Sequence, residues 1–524
     1  MIKLVNKLLL LTAITTLSSC NSSNIKKPKD VMVFSPQINM INDDFDGLGV
    51  EWGAYEDVNK LQTNAWDRIN KYANRLDGMS LVRCMVNFDW FCENLDTKGD
   101  NHLNNETGLV EGKENDTWTY NFTNKWMKST EQVLTYCQEH NLIVAFGAWN
   151  VIGSFPGDTW GMMDDVTSDP RWAKMTADVL EYLVKDKGFT CIKYVVNSNE
   201  PNYLGKANSS KNARNTFAKW RQGALNVKAA LDNIGLSDIK VVGSDATATS
   251  DGSMEEYLYG IAQDDALKNV VGDYGIHVYP YKESLDNGTL LDQYAERSAK
   301  IKEYDPDFGT KRKMHIWEAG LQDGKNLALD CQELIDTYTY AKAMANYTLT
   351  ALISGINGIC YWDFDDGMHF MYGADGTATP KEWGMFSTLG SASSLKQQLR
   401  PWYHSSSLLI NLLRRHNIVF DSGDNGSDKN PNLRSLATIS NDRNLAGVLF
   451  CNTDVMNEKT VKFVLDEKYN NNEKLYIYMF NEKSTLIGED GFIKPNYELE
   501  GSLNNINEIT IPASTFVVIS NKVL

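Results

Sequence analysis

Eight short strand-like runs alternate with helical segments between Gly47 and His416, and few folds accept that order. The runs are "GLGVEW" near Gly47, "SLVRCMVNF" near Val82, "LIVAFGAW" near Val144, "IKYVVNSNE" near Val195, "IKVVGSDA" near Val241, "YGIHVYP" near Ile276, "MHIWEAG" near Ile316 and "INGICYWDF" near Ile359. They are apolar, rich in β-branched and aromatic residues, and too short for helices, so they read as buried strands. Between them, "AWDRINKYANRL" (Ala65–Leu76) sets Trp66, Ile69, Tyr72, Ala73 and Leu76 on one helical face. Trp126–His140 and Asp169–Gly188 follow, the latter with Asp169 as N-cap, Pro170 in the first turn and Gly188 at the end. Later segments such as "FAKWRQGALNVKAALDNIG" and "LKQQLRPWYHSSSLLINLLRRH" complete the alternation. Eight such pairs over about 370 residues predict an α/β fold, a (β/α)8 TIM barrel. A doubly wound open sheet would want a glycine-rich phosphate loop opening a helix after its first strand, and "GLGVEWGAY" opens none.

The pattern changes near His416. Residues 417–524 carry "LRSLATIS", "LAGVLFCN", "VKFVLD", "KLYIYMF" and "EITIPASTFVVIS", separated by turn-rich stretches, which predicts an all-β sandwich. The barrel unit is then 31–416, and its first stretch, 31–42 ("VMVFSPQINMIN"), is available to add a strand to the sandwich. Residues 1–20 read as a targeting signal: Lys3 and Lys7, then the apolar run Leu8–Leu17, too short to stay as a membrane-spanning helix. "LSSC" at Leu17–Cys20 resembles a bacterial lipoprotein signal, which implies lipidation of Cys20. Asn21 after it resembles outer-membrane sorting, and 21–30 reads as a polar tether. The expected location is the cell envelope, with the membrane touched through the lipid alone. A net charge of −17 argues against nucleic acid as a partner, because a phosphate-binding surface needs positive potential. None of the eight cysteines forms a C-x-x-C pair, and Cys84, Cys137, Cys191 and Cys360 fit core packing.

In a barrel, working groups stand at the C-terminal ends of strands. Glu200, in "NSNEPN", ends the fourth, because Pro201 cannot continue the ladder. Glu318, in "WEAG", ends the seventh. Two carboxylates on one cleft are what glycosidic bond cleavage requires.

Here the chain resembles the retaining glycoside hydrolases of clan A, most nearly families 30 and 39. Those enzymes keep an Asn-Glu-Pro on the fourth strand as acid/base and a glutamate on the seventh as nucleophile. Arg83 in "LVRCMVN", His277 and Tyr279 in "IHVYP", and Trp362 in "CYWDF" match further positions of the pattern. The resemblance implies Glu200 as acid/base and Glu318 as nucleophile of a double displacement. A neighbouring negative charge and a dry pocket should keep Glu200 protonated, while Arg83 and Tyr279 keep Glu318 ionised. Asn199 is placed to bond the sugar 2-hydroxyl. Trp149 and Trp362 are expected to stack on sugar faces, with Asn150 and Asp363 bonding hydroxyls. The expected substrate is a neutral, β-linked poly- or oligosaccharide, because Arg83 is the one basic residue evident at the strand mouths. No cofactor is expected, and no metal: "DFDDG" (Asp363–Gly367) lacks the spaced ligands and distal glutamate of a calcium loop. Two alternatives share these residues or the fold: a transglycosylase, and an inactive glycan-binding lipoprotein.

Overall fold

The computed structural model describes residues 31–55, 64–87, 120–150, 168, 170–202, 216–250, 252–372, 378–389, 399–425, 432–470 and 473–524. Eight parallel strands form the barrel: Gly47–Glu51, Leu81–Asn87, Ile143–Asn150, Ile192–Val196, a fifth broken into Lys240–Val241 and Ser244–Thr247, then Asp273–Val278, Lys313–Ala319 and Gly358–Tyr361. The eighth returns to the first, with Gly358 opposite Gly47. Lys240–Val241 pairs with the fourth strand and Ser244–Thr247 with the sixth. Between them, a Cβ on Gly243 would lie 1.9 Å from Asp273 O.

Helices cover the outside. Ala65–Arg75 buries Ala65, Ile69 and Ala73. Lys125–Glu139 starts where the Asn124 side chain accepts from the Met127 N–H at 2.9 Å, one residue ahead of the sequence expectation. Pro170–Leu180 runs into a π-helical stretch, Glu181–Asp186, and turns at Gly188, whose φ of 82° suits glycine. The expected cap Asp169 lies outside the described residues. Cys84, Cys137, Cys191 and Cys360 are free and buried, in agreement with core packing.

The C-terminal strands make a sandwich that draws on both ends of the described chain. Met32–Phe34 pairs in parallel with Lys459–Leu465 in a three-stranded sheet. Met40–Asn42 pairs with Ile418–Asp421 at one edge of a seven-stranded sheet. The period of two then sorts side chains. Ala446, Val448, Phe450, Val517 and Ile519 face the smaller sheet, while Leu449, Cys451, Phe516 and Val518 join the core of the barrel helices. The sandwich therefore shares one of its faces with the barrel.

At the opposite end of the barrel from the strand mouths, His315 is the third residue of the seventh strand. Its Nδ1 lies 2.9 Å from Asp273 Oδ2 and its Nε2 2.9 Å from Asp46 Oδ2. Burial alone would lower its pKa, but the two carboxylates raise it to about 9.

Candidate active site

The fourth strand ends in a constrained turn. Glu200 has φ of 42°, in the left-handed region, and its N–H donates to Asp245 O at 3.1 Å. Such a backbone costs a non-glycine residue about 1–3 kcal/mol and persists where the surroundings fix it. Here Pro201 and the Asp245 carbonyl fix it, and the carboxylate is held at the barrel mouth. Glu318 reaches the same point from the seventh strand. One ligand atom each from Glu200, His277 and Glu318 lie within 4.8 Å of one another. Glu200 keeps 18% of its side chain exposed and Glu318 9%, so both carboxylates have a face open to a ligand.

A fully buried charge network supports them. Arg83 on the second strand binds Glu51 at 3.0 Å, Asp245 at 2.7 Å and Asn199 Oδ1 at 2.6 Å, and reaches Glu318 at 3.4 Å. Because Asn199 accepts through its oxygen, its amide N–H groups remain available as donors. The Tyr279 hydroxyl donates to Glu318 Oε1. His277 stands between the carboxylates: Nδ1 is 3.1 Å from Glu200 Oε1 and 3.3 Å from Glu318 Oε2, and Nε2 is 2.9 Å from Asp245 Oδ1.

The protonation states follow from these contacts. Burial opposes the charged form of His277, but Asp245 and Glu318 raise its pKa to about 10, so it is an imidazolium at neutral pH. Burial pushes Glu200 up, and the hydrogen bond and charge of His277 bring it below the usual glutamate value. Burial and the Glu200 charge hold Glu318 above its ordinary value, against the pull of His277, Arg83 and Tyr279. The pull of His277, whose Nδ1–H aims at Glu200, opposes the sequence expectation, in which burial and neighbouring charge keep Glu200 protonated. Burial, partly offset by Arg83, raises Glu51 to about 8.

Trp149 and Trp362 meet edge to face at 5.6 Å, and His369 stacks on Trp362 at 5.2 Å. The Arg83 guanidinium lies 5.1 Å from the Trp149 ring centre, tying this aromatic corner to the charge network. The structure thus gathers Arg83, Asn199, Glu200, His277, Tyr279, Glu318, Trp149 and Trp362 at one end of the barrel. Asp363 is a correction. It is fully buried, and among the described residues its carboxylate has no hydrogen-bond partner. Burial, with Asp366 and Asp365 nearby, raises its pKa well above the usual value, so it offers no surface to a hydroxyl. Asn150 ends the third strand, but its side chain lies outside the description, as does Cys20. Glu51 and Asp245 were missed. Both end or nearly end barrel strands ("GLGVE", "GSDA"), and asking which ionisable residue closes each strand would have found them. A surface cavity of about 710 Å³ lies elsewhere, lined by Phe217, Arg221, Tyr259 and Asp264, and its Arg221–Asp264 pair is already closed.

No family model matches the chain, and no curated protein matches it in sequence. Solved structures do match in fold. AbfB, a family 51 α-L-arabinofuranosidase from Bifidobacterium longum, aligns with a TM-score of 0.57 at 12% identity, over 95% of this chain and 100% of that one. A glucosidase from Croceicoccus marinus aligns at 0.53 and 13% identity, over 94% and 98%. A family 44 xyloglucanase from Paenibacillus polymyxa aligns at 0.52 and 9% identity, over 92% and 96%. The fold is a (β/α)8 barrel with a β-sandwich. Families 51 and 44 occur among these neighbours, where the sequence resemblance points to 30 and 39.

Proposed function

We propose that the chain is a retaining glycoside hydrolase, with Glu318 as nucleophile and Glu200 as acid/base. The observation that carries this reading is the approach of the two carboxylates, with ligand atoms within 4.8 Å. Retaining enzymes hold their carboxyl groups about 5–5.5 Å apart, and inverting enzymes leave about 6.5–9.5 Å for a water. Fold neighbours that are themselves glycosidases lend support.

On this reading Glu318 attacks the anomeric carbon, and Tyr279 and Arg83 orient its carboxylate. The leaving oxygen takes a proton from Glu200. His277 supplies the means: the imidazolium–carboxylate pair at 3.1 Å is one proton transfer away from neutral His277 and protonated Glu200. Once Glu318 is esterified its charge is gone, and ionised Glu200 activates the water that releases the sugar. Asn199 donates to a hydroxyl, and the Trp149–Trp362 corner offers a ring face to the sugar. Placement in the cell envelope through lipidated Cys20 belongs to the same proposal, and a Cys20→Ala variant should leave the membrane fraction.

Two variants test the roles. Glu318→Ala should lose nearly all turnover on every substrate. Glu200→Ala should lose about 10²–10⁴-fold on natural substrates, yet still be glycosylated by a nitrophenyl glycoside that needs no protonation. Azide should then restore its turnover. Full activity in Glu318→Ala would end the proposal.

A further inference from the structure

The hairpin after the seventh strand carries a cation that the catalytic account does not use. Lys325 pairs opposite Gln332, and Gln332 Nε2 donates to Leu321 O at 3.1 Å, pinning the hairpin to the strand end. Trp383 Nε1 donates to Asp330 O at 2.8 Å and closes its other side. The Lys325 ammonium lies 4.8 Å from the centre of the Tyr279 ring and 5.8 Å from that of Trp383. Tyr279 is the residue whose hydroxyl holds Glu318, so Lys325 sits one ring away from the nucleophile. Its charge is also among those that lower Glu200.

The ammonium is held without a close ion pair among the described residues, although its charge helps keep Asp330 below the usual carboxylate range. Of the acids nearest in sequence, Asp323 accepts from the Lys282 N–H at 2.6 Å and Asp330 is paired with Lys381 at 2.7 Å. Among the described residues no carboxylate lies within ion-pair distance of Lys325, and ring faces attract a cation while leaving its N–H donors free. The other basic groups of the site are spent: Arg83 on Glu51, Asp245 and Asn199, and His277 on Asp245 and the catalytic pair. A pinned, half-buried, unpaired ammonium beside the reaction centre is a receptor for an anion.

Resting on the glycosidase reading, we propose that Lys325 determines specificity by binding an anionic substituent of the substrate, a sugar carboxylate or sulfate ester. This replaces the neutral substrate expected from the sequence, where Arg83 is the sole basic residue evident at the strand mouths. The carboxylate or sulfate would accept from the ammonium while Tyr279 and Trp383 shield the pair from water.

The test compares kcat/KM on three matched nitrophenyl glycosides: a neutral sugar, its C6-carboxylate and its 6-sulfate. Wild type should favour one anionic member over the neutral one, and which of the two identifies the source. In Lys325→Gln that ratio should fall by about 10- to 100-fold, the size of one hydrogen bond to a charged group. Lys325→Arg should keep most of it, and added salt should shrink it in wild type. A ratio unchanged in Lys325→Gln, or a wild type that favours the neutral sugar, overturns the proposal and leaves the glycosidase reading intact. If Glu318→Ala turns over these glycosides as wild type does, the glycosidase reading falls, and the Lys325 assignment with it.

Discussion

Replacing His315 by Gln should remove a stabilising contribution that exists only below a defined pH. The imidazole is buried between Asp273 and Asp46, and its pKa rises from 6.5 to about 9. A folded-state pKa above the unfolded value stabilises the protein fully below pH 6.5 and ceases to do so as pH rises through 9. The shift of about 2.5 units, at about 1.36 kcal/mol per unit, corresponds to about 3 kcal/mol at pH 6. Roughly half of that remains at pH 8, and almost none near pH 10. Urea unfolding of wild type and His315→Gln across pH 6–10 measures it. Other titrating groups, His277 among them, are common to both proteins and cancel in the difference. The expected gap narrows by about 3 kcal/mol from pH 6 to pH 10. A gap that is constant with pH would refute the reasoning, since lost packing alone does not titrate.

Three further outcomes follow from the geometry. Arg83→Met strands the Asp245 carboxylate in the interior and should cost about 3–5 kcal/mol in urea unfolding, part of it recovered by adding Asp245→Asn; a cost under about 1 kcal/mol would contradict the network. Tyr279→Phe removes the hydroxyl donor to Glu318 and should lower kcat on a nitrophenyl glycoside by about 10- to 100-fold; an unchanged kcat would show that the contact does not act in the rate-limiting step. Truncation after His416 bares barrel-core neighbours of Leu449, Phe516 and Val518 and should give an insoluble or inactive fragment; a soluble, fully active one would count against the shared core.

The barrel was legible because its signal is repeated: each buried strand is a short apolar run, and each is followed by a helical period. The ends of those strands then pointed to Glu200 and Glu318 without any knowledge of packing. What stayed hidden was pairing across the barrel. That Arg83 is shared among Glu51, Asp245 and Asn199 depends on which strand ends face each other. Asp363 misled for a related reason. Its place after "CYW" suggests the barrel mouth, but the chain turns it inward, where burial keeps it from solvent. The pull of His277 on both carboxylates was hidden too, because it depends on the position of that ring between them. Lys325 belongs to a loop with no periodic pattern, so only its packing against Tyr279 and Trp383 reveals it.

The central claim is the closeness of the two catalytic carboxylates, and the configuration of the first-formed product tests it most directly. Proton NMR during early hydrolysis of a glycoside of known anomeric configuration should show the same anomer released before mutarotation, as a covalent glycosyl-Glu318 intermediate requires. Release of the opposite anomer would mean that a water fits between Glu200 and Glu318, and would contradict the account.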